Sequence, residues 1–531
     1  MKKFLIYLSL LLLVSACKKG FLDRQPLDAY SNTSLWTSEK DIVTALNGCY
    51  KDWEDAYNIY YMDCASDNAY NQYPWEGYTE LGNGTVSPSS SNAANRWSFT
   101  VVQKCNWFLE NIDKFTGKLD LKDRYKAEAR FLRAYQFFIM SQLYGDVPLV
   151  LKNVSTEEAN KMKRNKKEEV VAFILKELGE MAENLPNAYA SSDVGRITKG
   201  AALALKGRIE LYKGDYQQAI GDYQKVMALG YTLYPDYADL FRIGNEDNSE
   251  VILDIQYIEN KYSNGNVGVM PSNGAGGWSS IDPLQELVDA YEMQNGKTIS
   301  EAGSGYNADD PYHNRDPRLT ATIQCSGQPS YGGGIFNSLD AKIGKDANAD
   351  YFMANNNTSP TGYIVKKYIS HLEDFPDMWN TGLNAIVIRY AEVLLSYAEA
   401  KIELNQVDNS VYDAIDLVRQ RAGMPKVNRA VYNSQSAMRT LVRRERRVEL
   451  AMEGLRFFDV QRWKIGAQVM NQDVFGTRPG SVNMTTGALT FSSPNHAKIE
   501  SRIFADKNYL WPIPQKDVDV HHDPGYQNPG Y

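Results

Sequence analysis

Stretches in which apolar side chains recur every three to four residues alternate with long stretches that lack any such period. Residues 121–144 show the first kind, with Phe131, Ala134, Tyr135, Phe138 and Gln142 at helical spacing. Gly145-Asp146-Val147-Pro148 then stops the helix. The same pattern predicts helices from Glu39 to about Trp53 and at 97–115, 167–184, 198–229, 389–404, 411–422 and 436–463. Residues 66–96 are instead rich in Asn, Ser, Gly, Tyr and Pro, and 259–385 hold long segments rich in Gly, Asn and Ser. Loops of that length inside a folded chain are usually functional or disordered.

The 198–229 segment says how the helices pack. Gly214-Asp215-Tyr216 is followed by Ala219, Ile220, Tyr223, Val226 and Leu229. This resembles the turn and second helix of a tetratricopeptide (TPR) repeat, in which a small residue lets two helices approach closely. Ala202 to Tyr212 fits the first helix with a one-residue deletion. A second pair is expected at 389–404 and 411–422, where Tyr390, Val393, Leu394, Tyr397 and Leu404 share a face. The expected fold is mainly α: a TPR-like helical-repeat scaffold with a large irregular, loop-rich subdomain. Its parts are a helical scaffold at 41–260 carrying a ligand-loop insertion at 66–96, a loop-rich ligand-binding region at 261–385, and a C-terminal helical part at 386–470. Residues 471–531 form a loop and tail packing on the scaffold.

The N-terminus reads as an export signal. Lys2 and Lys3 precede an apolar run from Phe4 to Ala16, broken only by Ser9 and Ser15. That run is well short of the ~20 residues that span a bilayer. It ends in Val14-Ser15-Ala16-Cys17, small residues before a cysteine, as a lipoprotein peptidase requires. Residues 1–16 are therefore expected to be a signal peptide and Cys17 the lipidated residue. Residues 17–40 form a tether, since Pro26 and Ser31-Asn32-Thr33-Ser34 do not support a helix.

Charge and motifs exclude several classes. The chain has 531 residues and a formal charge of −8, about −10 once Lys2 and Lys3 are removed. An acidic chain without a basic tract is a poor nucleic-acid binder. Arg443, Arg444, Arg446 and Arg447 are interleaved with Glu445 and Glu449 and read as salt-bridged helix faces. Gly296-Lys297-Thr298 is not a phosphate loop, because position 291 is Tyr and not Gly. The five histidines are scattered, so no transition-metal site is expected. Asp346, Asn348 and Asp350 have calcium-binding chemistry but are expected to be a solvated loop. No cofactor is implied, and no acid pair stands out as catalytic. Beyond Cys17, Cys49, Cys64, Cys105 and Cys325 show no compact disulfide spacing and are expected as buried free thiols.

Motifs along nearly the whole chain resemble the SusD-like (RagB/SusD) nutrient-binding outer-membrane lipoproteins. They begin with Phe21-Leu22-Asp23 after Cys17 and Ala45 to Tyr50, then Glu128 to Tyr135 and Leu143 to Leu149. Asp309 to Tyr312, Asn314 to Leu319, Ile388 to Leu395, Arg419 to Gly423, Glu445 to Leu450 and Gly454 to Trp463 continue them. Leu510 to Pro514 and Gln527 to Tyr531 close the match. Most of these residues read as architecture, with Arg446–Glu449 and Arg456–Asp459 spaced to pair along one helix. The resemblance implies four TPR-like helix pairs and a lipid-anchored, cell-surface position at the outer membrane. It also implies a SusC-like TonB-dependent transporter as partner, and glycans or peptides as cargo.

Sugars present a flat C–H face to an aromatic ring and a hydroxyl rim to polar groups. Two loops offer both. One carries Asp67, Asn68, Tyr70, Tyr73 and Trp75; the other carries Trp278 behind Gly274, Gly276 and Gly277. Trp97 and Trp107 are expected in the core, and Trp379 fits either role. The leading reading is a non-catalytic oligosaccharide-capturing lipoprotein. A peptide-binding member of the same family, a surface glycosidase and a protein-binding adaptor are the alternatives.

Overall fold

Most of the long helices pack on the next one in the chain. The computed structural model describes residues 36–531 except 191, 355 and 356. The expected signal peptide, Cys17 and most of the tether lie outside the described residues. The long helices are α1 (Glu39–Tyr50), α2 (Thr100–Asn111), α3 (Lys122–Tyr144), α4 (Lys167–Met181), α5 (Lys199–Lys213) and α6 (Tyr216–Met227). After the irregular region come α7 (Tyr390–Glu403), α8 (Asn409–Arg421), α9 (Gln435–Glu449) and α10 (Arg456–Trp463). From α2 to α8 every helix contacts its successor, and α9 returns to α7. The stack runs straight from α6 to α7, although all of 228–389 is inserted between them. Among the described residues no helix is long and apolar enough to cross a membrane.

Local chemistry sets the helix ends. Ser38 and Asp41 cap α1 reciprocally, and Thr198 and Ser434 cap α5 and α9. Gly214 takes the left-handed conformation, φ +87°, and closes α5 with hydrogen bonds back to Glu210 and Leu211. The α5–α6 contact needs small residues: Ala219 is fully buried, and a β-carbon at Gly207 would fall 2.8 Å from the Tyr223 ring.

Two boundaries differ from expectation. The tether ends early, because Trp36 is buried with its ring 5.2 Å from Trp107. The helix expected over 436–463 breaks between α9 and α10, where Met452 (φ +63°) and Gly454 (φ +74°) reverse the backbone. Apolar spacing continues through this break, but its backbone is a turn that receives other chain segments. Gly454 N donates to Asp63, and Lys367 Nζ donates to Ala451 O at 2.8 Å.

Antiparallel strands β2 (Val251–Ile255) and β4 (Ala385–Arg389) clamp the root of the long insertion. A second pair joins the two polar regions. In it β1 (Ala69–Asn71) lies antiparallel to β3 (Ile281–Pro283), with Tyr70 opposite Asp282. The C-terminal tail closes over the end of α3: Trp511 is buried, its amide donates to Leu143 O, and Asn528 Nδ2 donates to Tyr144 O. Cys49, Cys64, Cys105 and Cys325 are buried free thiols.

The arginine-rich α9 is not a solvent-facing charged helix. Glu449, fully buried, receives Arg389, Arg318 and Arg421, and Glu445 receives Arg318 and Arg419. The expected pairs along one helix do not form. Arg446 instead meets Asp459 and Glu399, and Arg456 meets Asp67. Buried charges need short, well-directed partners, and distant segments supply them better than a residue one turn away.

Candidate functional site

The β1–β3 ladder sets two aromatic loops side by side. After β1 the chain makes a short 3-10 turn over Pro74–Glu76, started by Pro74 and closed by Gly77 at φ +82°. Glu76 anchors the turn inward. Its carboxylate accepts from Tyr61 Oη at 2.9 Å and Asn71 Nδ2 at 2.7 Å, and its carbonyl accepts from Asn92 Nδ2 at 2.7 Å. With Glu76 held inside, the preceding Trp75 projects into solvent and is 74% exposed. Its ring stacks on Tyr73 at 4.7 Å and 24°.

The second loop doubles back on itself. Trp278 N donates to Gly268 O, Ser279 N to Pro271 O and Ser280 N to Val269 O. Ser279, at φ +46°, adds to the turn that leaves Trp278 44% exposed. From below, Asp350 accepts from Gly274 N at 2.6 Å and Tyr331 Oη accepts from Ser272 N at 2.8 Å. Burial raises the Asp350 carboxyl above its ordinary value, and the Gly274 amide opposes the shift. Trp379 lies 4.7 Å from Trp278 and is 38% exposed. A β-carbon at Gly268 would fall 2.5 Å from the Trp379 ring, so this glycine gives the indole its seat.

One hydroxyl links the two ring pairs. Tyr73 Oη lies 3.3 Å from Trp278 O and donates to Asn357 Oδ1 at 2.5 Å. The result is an open shelf of Tyr73, Trp75, Trp278 and Trp379 with Asn357 beside it. Exposed indoles whose loops are fixed from beneath offer flat, preorganised apolar faces next to polar groups.

The other expected ligand residues are placed elsewhere. Asp67 and Asn68 are buried and cannot read a ligand's rim. Burial alone would raise the Asp67 carboxyl, but the Arg447 and Arg456 charges hold it well below the usual carboxylate range. Asn68 donates to Asp63 and accepts from Arg447 Nε. Tyr70 alternates away from buried Ala69 and Asn71, and the charges that act on its hydroxyl include Glu500 and Arg502 beside the C-terminal strands. Of the calcium-type residues, Asn348 donates to Asn337 O and Asp340 O, and Asp350 is committed to Gly274. Trp97 is buried and Trp107 packs against the core, as expected. Asn357 had no sequence signal beyond its polar surroundings. Trp379 stands in the short segment Asp377 to Asn380, which left both roles open.

Comparison with known proteins decides the family. A model described as the SusD family matches residues 246–531, and one described as starch-binding associating with outer membrane matches residues 20–211. The chain belongs to the SusD family. Among its SusD relatives, SusD-like protein P25 of Formosa agariphila is 26% identical over 87% of this chain and 90% of its own. The starch-binding protein SusD of Bacteroides thetaiotaomicron is 27% identical over 39% of this chain and 41% of its own. A SusD-like carbohydrate-binding protein from Bacteroides fragilis superposes with a TM-score of 0.81 at 29% identity, covering 92% of this chain and 99% of its own. A laminarin-binding SusD-like protein superposes at 0.71 and 23% identity, over 93% of this chain and all of its own, and shares the fold. The mainly helical SusD architecture is therefore the fold of this chain.

Proposed function

We propose that this chain is a non-catalytic, lipid-anchored glycan-binding protein of the outer cell surface. It captures oligosaccharides on the Tyr73–Trp75–Trp278–Trp379 shelf and delivers them to a SusC-like TonB-dependent transporter. The supporting observation is the shelf itself. Two tryptophan-containing ring pairs are exposed, fixed from beneath and joined through one tyrosine hydroxyl. Carbohydrate- and laminarin-binding relatives of the same fold favour a sugar as the stacked ligand. Acids in the shelf loops serve the framework: Glu76 and Asp350 hold the two loops, and Asp377 accepts from Trp379 N. That arrangement supports binding without turnover. Membership of the family supports the outer-membrane placement and the transporter partner, and the Val14-Ser15-Ala16-Cys17 motif supports the anchor.

A glycan array probed with soluble protein beginning at residue 18 tests the reading. Binding to a defined set of oligosaccharides, with every glycan recovered intact after long incubation, is the expected result. Release of reducing ends, abolished by a single Asp or Glu substitution, would replace it with a glycosidase.

A further inference from the structure

A cavity of about 920 Å³ lies between the C-terminal end of α3, the start of α4, the end of α10 and the C-terminal tail. It shares no lining residue with the aromatic shelf. Its volume falls in the ordinary range of small-molecule sites.

Its charges are arranged unlike those in the rest of the chain. Arg164, Lys167 and Lys464 all line it, and among the described residues none of the three has a carboxylate within ion-pair distance. Arg164 donates only to neutral acceptors, Asn528 Oδ1 at 2.8 Å and the carbonyls of Asp146 and Gln527. Lys167 Nζ has Gln142 Oε1 at 3.1 Å. Lys464 Nζ sits 4.2 Å above the Tyr509 ring. Of the acids lining the cavity, Asp146 is taken by Lys166 and the Lys167 amide, while Glu168 and Asp506, like Lys464, are exposed at its mouth. A fourth cation, Arg462, is spent on Glu399 and Asp459. Burial first, and then the neighbouring Lys464 charge, push the Lys167 ammonium down to about 8. The Tyr212 hydroxyl, on the same wall, is buried without a hydrogen-bond partner.

Lys167 and Lys464 repel one another with no carboxylate within ion-pair distance of either, and the burial of Lys167 makes that repulsion larger. An oxyanion placed between them removes the cost. Gln142 and the Tyr212 and Tyr509 rings add hydrogen-bonding groups and flat walls of sugar size. We propose that this cavity is a second binding site, for a small polar molecule bearing a carboxylate, sulfate or phosphate group. The group would sit between Lys167 and Lys464, with Arg164 lining the same cavity. Acidic sugars and phosphorylated lipid headgroups share this chemistry.

The test is calorimetric titration of the soluble protein at low salt with glucose 6-phosphate, glucuronate, inorganic phosphate and neutral glucose. In a separate arm the protein is mixed with vesicles of phosphatidylglycerol or of phosphatidylcholine alone. Saturable binding of an anionic sugar at least tenfold tighter than glucose is expected, weakening as salt rises. Lys167→Gln and Lys464→Gln should each lower the affinity about five- to tenfold with an unchanged melting temperature. Trp75→Ala with Trp278→Ala should leave it unaltered, which separates this site from the glycan shelf. Retention on phosphatidylglycerol vesicles alone, lost in the Lys167→Gln/Lys464→Gln variant, would assign the anion to a lipid headgroup. Failure of every anionic probe to bind, or binding indifferent to both lysine substitutions, would overturn the proposal.

Discussion

Arg456 grips Asp67 with one edge of its guanidinium, Nε at 2.7 Å from one carboxylate oxygen and Nη2 at 2.9 Å from the other. Arg447 Nη2 lies 3.0 Å from the same carboxylate. The pair ties the segment leading to Trp75 to α9 and α10 at the far end of the chain. Asp67→Ala would strand two buried guanidiniums, which typically costs ~3–5 kcal/mol. A clear drop in the urea midpoint is expected, with glycan affinity retained by the folded fraction. Unchanged stability together with lost glycan binding would make Asp67 a ligand residue after all.

That relationship also shows how much of this protein is legible in its sequence. Helices α3 to α8 announce themselves by period and by the Gly214 turn, because burial of one helical face is a local pattern. The large rings of Trp75 and Trp278 stand out in Gly- and Asn-rich loops, and both project into solvent. Asp67 and Asn68 sit in the same kind of loop, and nothing local distinguishes a buried acid from an exposed one. Their partner arginines lie almost 400 residues on. The same non-locality defeats the Arg446–Glu449 spacing, and it hides Trp379 beside Trp278 and Asn357 beside Tyr73.

The scaffold should resist substitution at the α5–α6 contact. Ala219 is fully buried, and Gly207 already admits the Tyr223 ring with no room to spare. Ala219→Trp forces a large ring between the helices and should cost ~1–3 kcal/mol or more. A lowered melting temperature in calorimetry is the expected outcome; an unchanged one would contradict the close packing.

Membrane attachment should depend on the sulfur of Cys17. On the proposed reading, Cys17→Ala removes the acylation site, and more than one acyl chain is what makes anchoring stable. The variant is expected in the soluble fraction after cell disruption. Sedimentation with outer membranes in cells lacking the transporter would refute the lipoprotein reading.

On the shelf, each indole should count separately. Trp75→Ala removes a ring that is 74% exposed, so the fold should be untouched. Aromatic stacking contributes on the order of 1 kcal/mol beyond area burial, so its loss should weaken glycan binding several-fold to tenfold. Trp278→Ala should do the same, and Trp379→Ala should follow it, because the two rings support each other at 4.7 Å. Isothermal titration with the best glycan of the array checks all three. Full affinity in every variant would remove the shelf from the binding site.

The clamp at the root of the long insertion should make stability depend on pH. Asp254 lies in β2 opposite Ile386 and is only 5% exposed. Burial pushes its carboxyl up to about 7, against hydrogen bonds from Gln256 Nε2 at 2.9 and 3.0 Å and Asn384 Nδ2 at 3.1 Å. The unfolded carboxyl titrates near ~3.9. Between those values the folded state holds a proton that the unfolded state has released. The stabilisation is therefore complete below about pH 4 and is lost as pH rises through about 7. From pH 5 to pH 8 this residue should remove on the order of 2–3 kcal/mol. Urea unfolding at the two pH values measures the slope. Asp254→Asn mimics the protonated carboxyl, and the Gln256 and Asn384 amides can flip to meet it. The variant should keep its stability at pH 5 and lose about 2–3 kcal/mol less than the wild type on going to pH 8. Glu246, Glu210 and Glu286, also pushed up to about 7 by burial, leave a residual slope in the same window. A wild-type slope in Asp254→Asn would show that Asp254 is ionised in the folded protein throughout this range.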